Sequence, residues 1–352
     1  MTTTNTNTQI GYIGTYTKGD SKGIYRFTLN HAEGKITDIT AVATLENPTY
    51  LILSHDKKHL YSVVKDGQSG GLASYTITEN GELTPINSQL SEGSPPCHVS
   101  IDNQKQYLFS ANYHKGTVES YLIDHENGSV LPAASIIKHE GSGPDPRQEK
   151  PHIHYAGLTP DEKYLAVVDL GIDALVTYKV SENGTLTNVN SLLLKAGSGP
   201  RHLTFHPNGK IAYLMTEFSS EVIALNYHSE NGLFTEFQSI STLPADFKEN
   251  SQGSAIHISA DGCFVYAGNR GHNSIAVFGV NEETGELSFL EHTSTEGDWP
   301  RDFAIDPSGK YVVASNQESS NLVLFARDES TGKLTLLQTD ITLPHPVCVK
   351  FL

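Results

Sequence analysis

Residues 199–234, GPRHLTFHPNGKIAYLMTEFSSEVIALNYHSENGLF, decide the fold, because they hold in one pass the signals that recur along the chain. A Gly-Pro pair leads into a short apolar run, HPNGK makes a turn, β-rich runs follow, and NGLF turns the chain again. Asn-Gly between alternating apolar runs is a strong hairpin signal, since Gly supplies the positive φ that tight turns need. The second turn recurs as EGKI at Gly34, NGEL at Gly81, NGSV at Gly128, NGTL at Gly184, NGLF at Gly232, TGEL at Gly285 and TGKL at Gly332. Successive spacings are 47, 47, 56, 48, 53 and 47 residues. That is an internal repeat.

A second series keeps the same period: NPTYLIL, PPCHVSI, PHIHYAGL, GPRHLTF, GSAIHI, WPRDFAI and HPVCVKF. In five of the seven the equivalent position is proline: Pro48, Pro96, Pro200, Pro300 and Pro346. Four short strands per repeat, seven repeats and no helix-period pattern predict an all-β, seven-bladed β-propeller with four-stranded blades. The last repeat stops after HPVCVKFL, with one strand, while IGYIGTYT and GIYRFTL near the N-terminus lack a partner repeat. Both ends are therefore predicted to share one blade, which removes the free sheet edge of an open array. A solenoid with polar caps is the alternative. Residues 1–9, MTTTNTNTQ, are expected to be a disordered tail, and residues 10–352 a single domain.

Composition narrows the function. With 24 Lys+Arg against 40 Asp+Glu, the formal charge of −16 argues against a nucleic-acid partner, whose phosphates need cations. No run approaches the roughly 20 apolar residues that span a bilayer, so no membrane partner is expected. The start of the chain lacks the charged and apolar regions of a signal peptide. Three cysteines without a C-x-x-C pair exclude a disulfide framework and fit a reducing cytoplasm. A cytoplasmic protein is expected. Its oligomeric state is open.

The repeat register allows equivalent positions to be compared across blades. In a propeller the start of the innermost strand and the end of the next strand meet at one mouth of the central channel. The first column reads Thr49, Cys97, His154, Arg201, Ser254, Arg301, Val347. At the end of the second strand one column reads Thr15, Val64, Asn112, Asp169, Thr216, Asn269, Asn316. Its uniform chemistry suits loop capping, since Asn, Asp and Thr side chains bond nearby backbone. Asp169 and Asn269 also remain substrate-binding candidates, and Asn112, Asp169 and Asn269 could together offer oxygens to a hard cation. The next column, Tyr16, Lys65, Tyr113, Leu170, Glu217, Arg270, Gln317, varies freely, so blade architecture does not dictate it.

His154, Arg201, Glu217 and Arg270 thus converge on one sector of one mouth. The arginines suit carboxylate, phosphate or a developing oxyanion, and the histidine or carboxylate suits activation of water. A salt-bridged rim is the bland reading. The stretch GPDPRQEKPHIH, 143–154, is read as an insertion of about nine residues that accounts for the 56-residue spacing. It would form a lid over the mouth, carrying Arg147 and ending at His154. His152 and His154 would share one side of a strand, which can suit a zinc ion, although two further ligands would be needed. No metal and no cofactor is assigned. No G-x-S-x-G elbow or other mark of a Ser/His/Asp triad is present.

At RQEKPHIHYAGLTPDEKYLAVVDLGID, GSGPRHLTFHPNGKIAYLMTE and SAIHISADGCFVYAGNRGHNSIAVF, with NPTYLILSHDKKHLYSV earlier, the chain resembles the seven-bladed propeller lactonases. That family includes propeller-type 6-phosphogluconolactonases and is related to fungal muconate-lactonising enzymes. The resemblance covers essentially the whole chain after the tail. It implies hydrolysis of 6-phospho-D-glucono-1,5-lactone, a small anionic substrate of the pentose phosphate pathway. It also implies a His, Arg, Glu, Arg site at His154 (or His152), Arg201, Glu217 and Arg270. For a lactonase of this kind, Arg147 and Arg301 are candidates for binding a phosphate. A lactonising or lactone-opening enzyme acting on a dicarboxylate and a non-catalytic propeller binding protein or sugar are the alternatives, because a fold does not fix a function.

Overall fold

The computed structural model describes residues 7–352. These residues form seven four-stranded antiparallel sheets and no helix. Six sheets are consecutive: blade 1 covers residues 51–92, blade 2 98–138, blade 3 153–193, blade 4 200–241, blade 5 252–294 and blade 6 300–342. Blade 7 takes its inner strand, Pro346–Phe351, from the end of the chain and its other three, Thr8–Thr15, Gly23–Asn30 and Lys35–Thr44, from the start. Closure runs from Gly11↔Phe351 to Thr15↔Pro346. The first strand begins at Thr8, inside the stretch 1–9 expected as a tail. Residues 1–6 lie outside the described part, but Thr8 and Gln9 pair with Asn30 and Leu29, which gives their backbone groups ladder partners.

Each blade buries both faces against its neighbours, so the described core divides into seven clusters, one per blade interface. Ile13 and Phe27 of blade 7, for example, pack on Val313 and Leu324 of blade 6. The seven turn glycines all have positive φ, from 61° at Gly34 to 81° at Gly184. The turns also lock neighbouring blades. The hydroxyls of Tyr12, Tyr61, Tyr213 and Tyr266 donate to the carbonyls of Gly81, Gly128, Gly285 and Gly332 in the next blade, at 2.8–3.1 Å. A short repeated turn is thus both a hairpin and a joint.

Five of the seven inner-strand ladders share one irregularity. The ladders of blades 3, 4, 5 and 6 shift register at Ile153/Tyr155, Pro200/His202, Gly253/Ile256 and Pro300/Asp302, and blade 7 shifts at Gly14/Thr15. A bulge breaks the in–out alternation, so consecutive residues can face the same side. Arg201 and His202 both line the channel, as do Arg301 and Asp302.

Candidate active site

A cavity of about 380 Å³ opens at one mouth of the channel, within the usual range for small-ligand sites. The first column supplies Thr49, Cys97, His154 and Arg301, and the third supplies Tyr16, Lys65, Tyr113, Glu217 and Arg270. Arg201 lies just beneath, in a throat shared with His154, His202, Tyr50 and Asp302.

Glu217 is the centre of the charged floor. Its Oε2 takes Arg270 Nη2 at 2.7 Å and faces Arg201 Nε at 3.2 Å. Both guanidinium groups are anchored from behind: Arg201 Nη1 donates to Ser254 O at 2.6 Å and Arg270 Nη2 to Gly253 O at 2.7 Å. Residue 253 must be glycine for this. A Cβ there would lie 2.1 Å from Thr216 O, so only glycine lets the blade 5 strand press against the end of the blade 4 strand. Trp299 sits at φ 65°, an uncommon conformation for a bulky residue, and its ring lies 5.5 Å from the Arg270 guanidinium.

Burial and neighbouring charge set the protonation states. Burial opposes ionisation of Glu217, yet Arg270 and Arg201 outweigh it and hold the carboxyl below the ordinary glutamate range. His154 is pushed well below the usual imidazole value, first by burial and then by the Arg201 and Arg301 charges. It is uncharged at neutral pH. Burial, with Arg270 and Arg301 nearby, brings Arg201 down to about 9, so it stays cationic there. The floor is therefore one carboxylate, two arginines and a neutral imidazole.

A family model described as "Lactonase, 7-bladed beta-propeller" matches residues 10–351. The chain belongs to the seven-bladed β-propeller lactonase family. It is 53% identical over 97% of its length to the 6-phosphogluconolactonase of Bacillus subtilis (strain 168), covering 98% of that protein. Among solved structures, a Lactobacillus plantarum protein aligns at TM-score 0.94 and 43% identity, over 98% of this chain and 99% of that one. The periplasmic gluconolactonase of Pseudomonas aeruginosa aligns at TM-score 0.93 and 32% identity, over 98% and 99%.

On this lactonase fold the other expected site residues are dispersed. Asp169 is spent on local structure: Oδ1 accepts from His152 N and Gly171 N at 2.8 and 2.9 Å, and Oδ2 meets His139 Nδ1 at 2.7 Å. Asn269 bonds both ends of its amide to Thr242, at 2.6 and 2.8 Å. Neither lines the cavity, and Asn112 likewise caps His114 N and Lys115 N. This is the capping role, and it leaves that column no inward ring of oxygens. His152 stacks on Tyr113 at 4.1 Å and places its ring nitrogens against Tyr113 O and Glu149, while His154 lines the cavity. The two histidines therefore do not share a binding direction. Among the described residues no group of three or more His, Cys, Asp or Glu is arranged for a metal.

The loop over 143–151, expected as a lid, puts none of its residues on the cavity wall. Gln148 is buried inside it and donates to Leu170 O at 2.7 Å. Arg147 is exposed, pairs with Asp145, lies 3.6 Å above the Phe218 ring and is absent from the cavity wall. Arg301 does line the cavity. Lys65, Cys97 and Tyr113 were visible in the columns but had no partner in sequence to single them out. His202, His98, Tyr50 and Tyr155 pack beneath the site with ring centroids 4.4–6.2 Å apart. For Tyr155 and His202 nothing in the sequence signals this, because each follows a bulge in its inner strand.

Proposed function

We propose that this chain hydrolyses 6-phospho-D-glucono-1,5-lactone to 6-phosphogluconate at a centre formed by His154, Arg201, Glu217 and Arg270. The observation that carries the reading is a buried carboxylate held by two arginines beside an uncharged imidazole, at the floor of an open cavity. The likeness to the Bacillus subtilis 6-phosphogluconolactonase supports the substrate class. Oxidative pentose phosphate metabolism is the corresponding pathway. The three cysteines are free, which supports a reducing cytoplasm.

Water attacks the lactone carbonyl carbon while His154 takes one of its protons. Negative charge then develops on the carbonyl oxygen, and the Arg270 guanidinium, fixed in advance by Glu217 and Gly253 O, offsets it. The bond from that carbon to the ring oxygen breaks, and the leaving oxygen takes the proton back from His154. The new carboxylic acid loses its proton to solvent. Glu217 acts as the positioning carboxylate, since both arginines already claim its Oε2. An internal ester has a modest barrier, so positioning and electrostatics suffice.

The test is acid release from the phosphorylated lactone in a pH-stat, with the spontaneous rate subtracted. Wild type turns over, and Arg270→Lys and Glu217→Ala lose about 100-fold or more in kcat/KM, the scale of one lost oxyanion donor. Full activity in both variants would place the centre elsewhere. Opening of a muconolactone in place of the sugar lactone would move the substrate to a dicarboxylate. Because His154 acts unprotonated, the rate falls as pH drops through its depressed pKa. Activity should therefore persist into the mildly acidic range where an ordinary histidine base is already protonated.

A further inference from the structure

The wall facing the reaction centre carries charge that hydrolysis itself does not use. Three of the four cationic groups around the cavity are committed: Arg201 and Arg270 to Glu217, and Lys65 to Glu46 at 2.6 Å. Arg301 differs. Among the described residues its guanidinium has neither a carboxylate within ion-pair reach nor a hydrogen-bond partner. It is half-buried, with its charge 5.5 Å from the Tyr16 ring. A half-buried cation left unpaired in a chain of net charge −16 is a place where an anion belongs.

Lys65 completes the feature. It stands on blade 1, three blades from Glu217 on blade 4, and so faces it across the mouth, with Arg301 on blade 6 between them. The Lys65–Glu46 pair is well exposed, 39% and 41% by side chain. Exposed pairs of this kind hold weakly, so the ammonium can turn inward at little cost. Backbone pairing of Glu46 with Lys65, N to O at 2.9 Å, fixes where the lysine starts.

We propose that Arg301 and Lys65 form a subsite for a phosphate monoester at the far end of the lactone, and that it selects phosphorylated sugar lactones over the free sugar. The inference rests on the lactonase reading for its substrate and names the residues that set specificity. Arg301 gives planar paired donors, Lys65 a mobile point charge, and together they match a phosphate dianion. An uncharged hydroxymethyl group would leave Arg301 as unpaired as it is now.

Two measurements test it. The first is the ratio of kcat/KM for 6-phosphoglucono-1,5-lactone to that for glucono-1,5-lactone, in wild type, Arg301→Gln and Lys65→Gln. The ratio should exceed unity in wild type and fall at least about tenfold in each variant, as expected for loss of a charge-assisted contact. Lys65 is a rim residue, so its variant remains informative if Arg301→Gln fails to fold. The second is a titration with inorganic phosphate, followed by the fluorescence of Trp299, the single tryptophan, which lies beside Arg270. Saturable quenching or enhancement in wild type, weakened in both variants, is expected. A ratio unchanged by either substitution, or a wild-type ratio near unity, would overturn the subsite and leave the lactonase reading standing. If wild type opens no lactone, that reading fails, and the phosphate titration alone decides the subsite, no response counting against it.

Discussion

Glu217 concentrates the electrostatics of the site into one residue. Replacing it with glutamine leaves Arg201 and Arg270 buried without a counter-charge, which should cost roughly 3–5 kcal/mol. The sign with pH follows from the depressed pKa of the folded carboxyl. Its stabilisation is complete above the ordinary glutamate pKa and disappears as pH falls through the folded value. Urea unfolding of wild type and Glu217→Gln should therefore differ most at neutral pH and converge in acid. A gap that stays constant with pH would mean that the charge is not what holds the arginines. Much of this centre was legible in sequence, because one column that varied freely between blades exposed Glu217 and Arg270 as choices rather than architecture. Asp169 and Asn269 could not be separated from it by type alone. A capping carboxamide and a substrate-binding one are the same residue until their partners are known.

Strands and turns were legible because their signals repeat seven times, and the bulge was not. One extra residue in an inner strand changes no composition, yet it turns His202 into the channel beside Arg201. The turn glycines offer a test at this scale. At Gly332, φ is 72° and an added Cβ would lie 2.3 Å from the Phe264 ring of the adjoining blade, whereas at Gly19, φ is 58° with nothing within 4 Å. Gly19→Ala should cost about 1 kcal/mol, for the backbone alone. Gly332→Ala should cost roughly 3 kcal/mol or more, because a packed joint must also move. Equal losses in thermal unfolding would deny the turns their role between blades.

The propeller brings residues from distant parts of the chain into one ring, and closure by Pro346–Phe351 against Thr8–Thr15 makes that ring continuous. Its two mouths are chemically unlike. One gathers Glu217, Arg270, His154, Arg301 and Lys65, while the other presents Lys350 and His257 among Ile258, Pro307 and Phe351. Sequence could assign strand ends to a mouth, since strand direction is fixed by the repeat. It could not tell that Arg147 on the inserted loop would turn to Phe218 instead of the cavity, because loop conformation has no register to follow. We infer that a lactone is bound and opened at the first mouth. The most direct measurement is a crystal structure with 6-phosphogluconate. The product is expected in the cavity of the first mouth, its carboxylate against Arg270 and its phosphate between Arg301 and Lys65. Product bound at the Lys350 mouth, with the first cavity empty at saturating ligand, would contradict it.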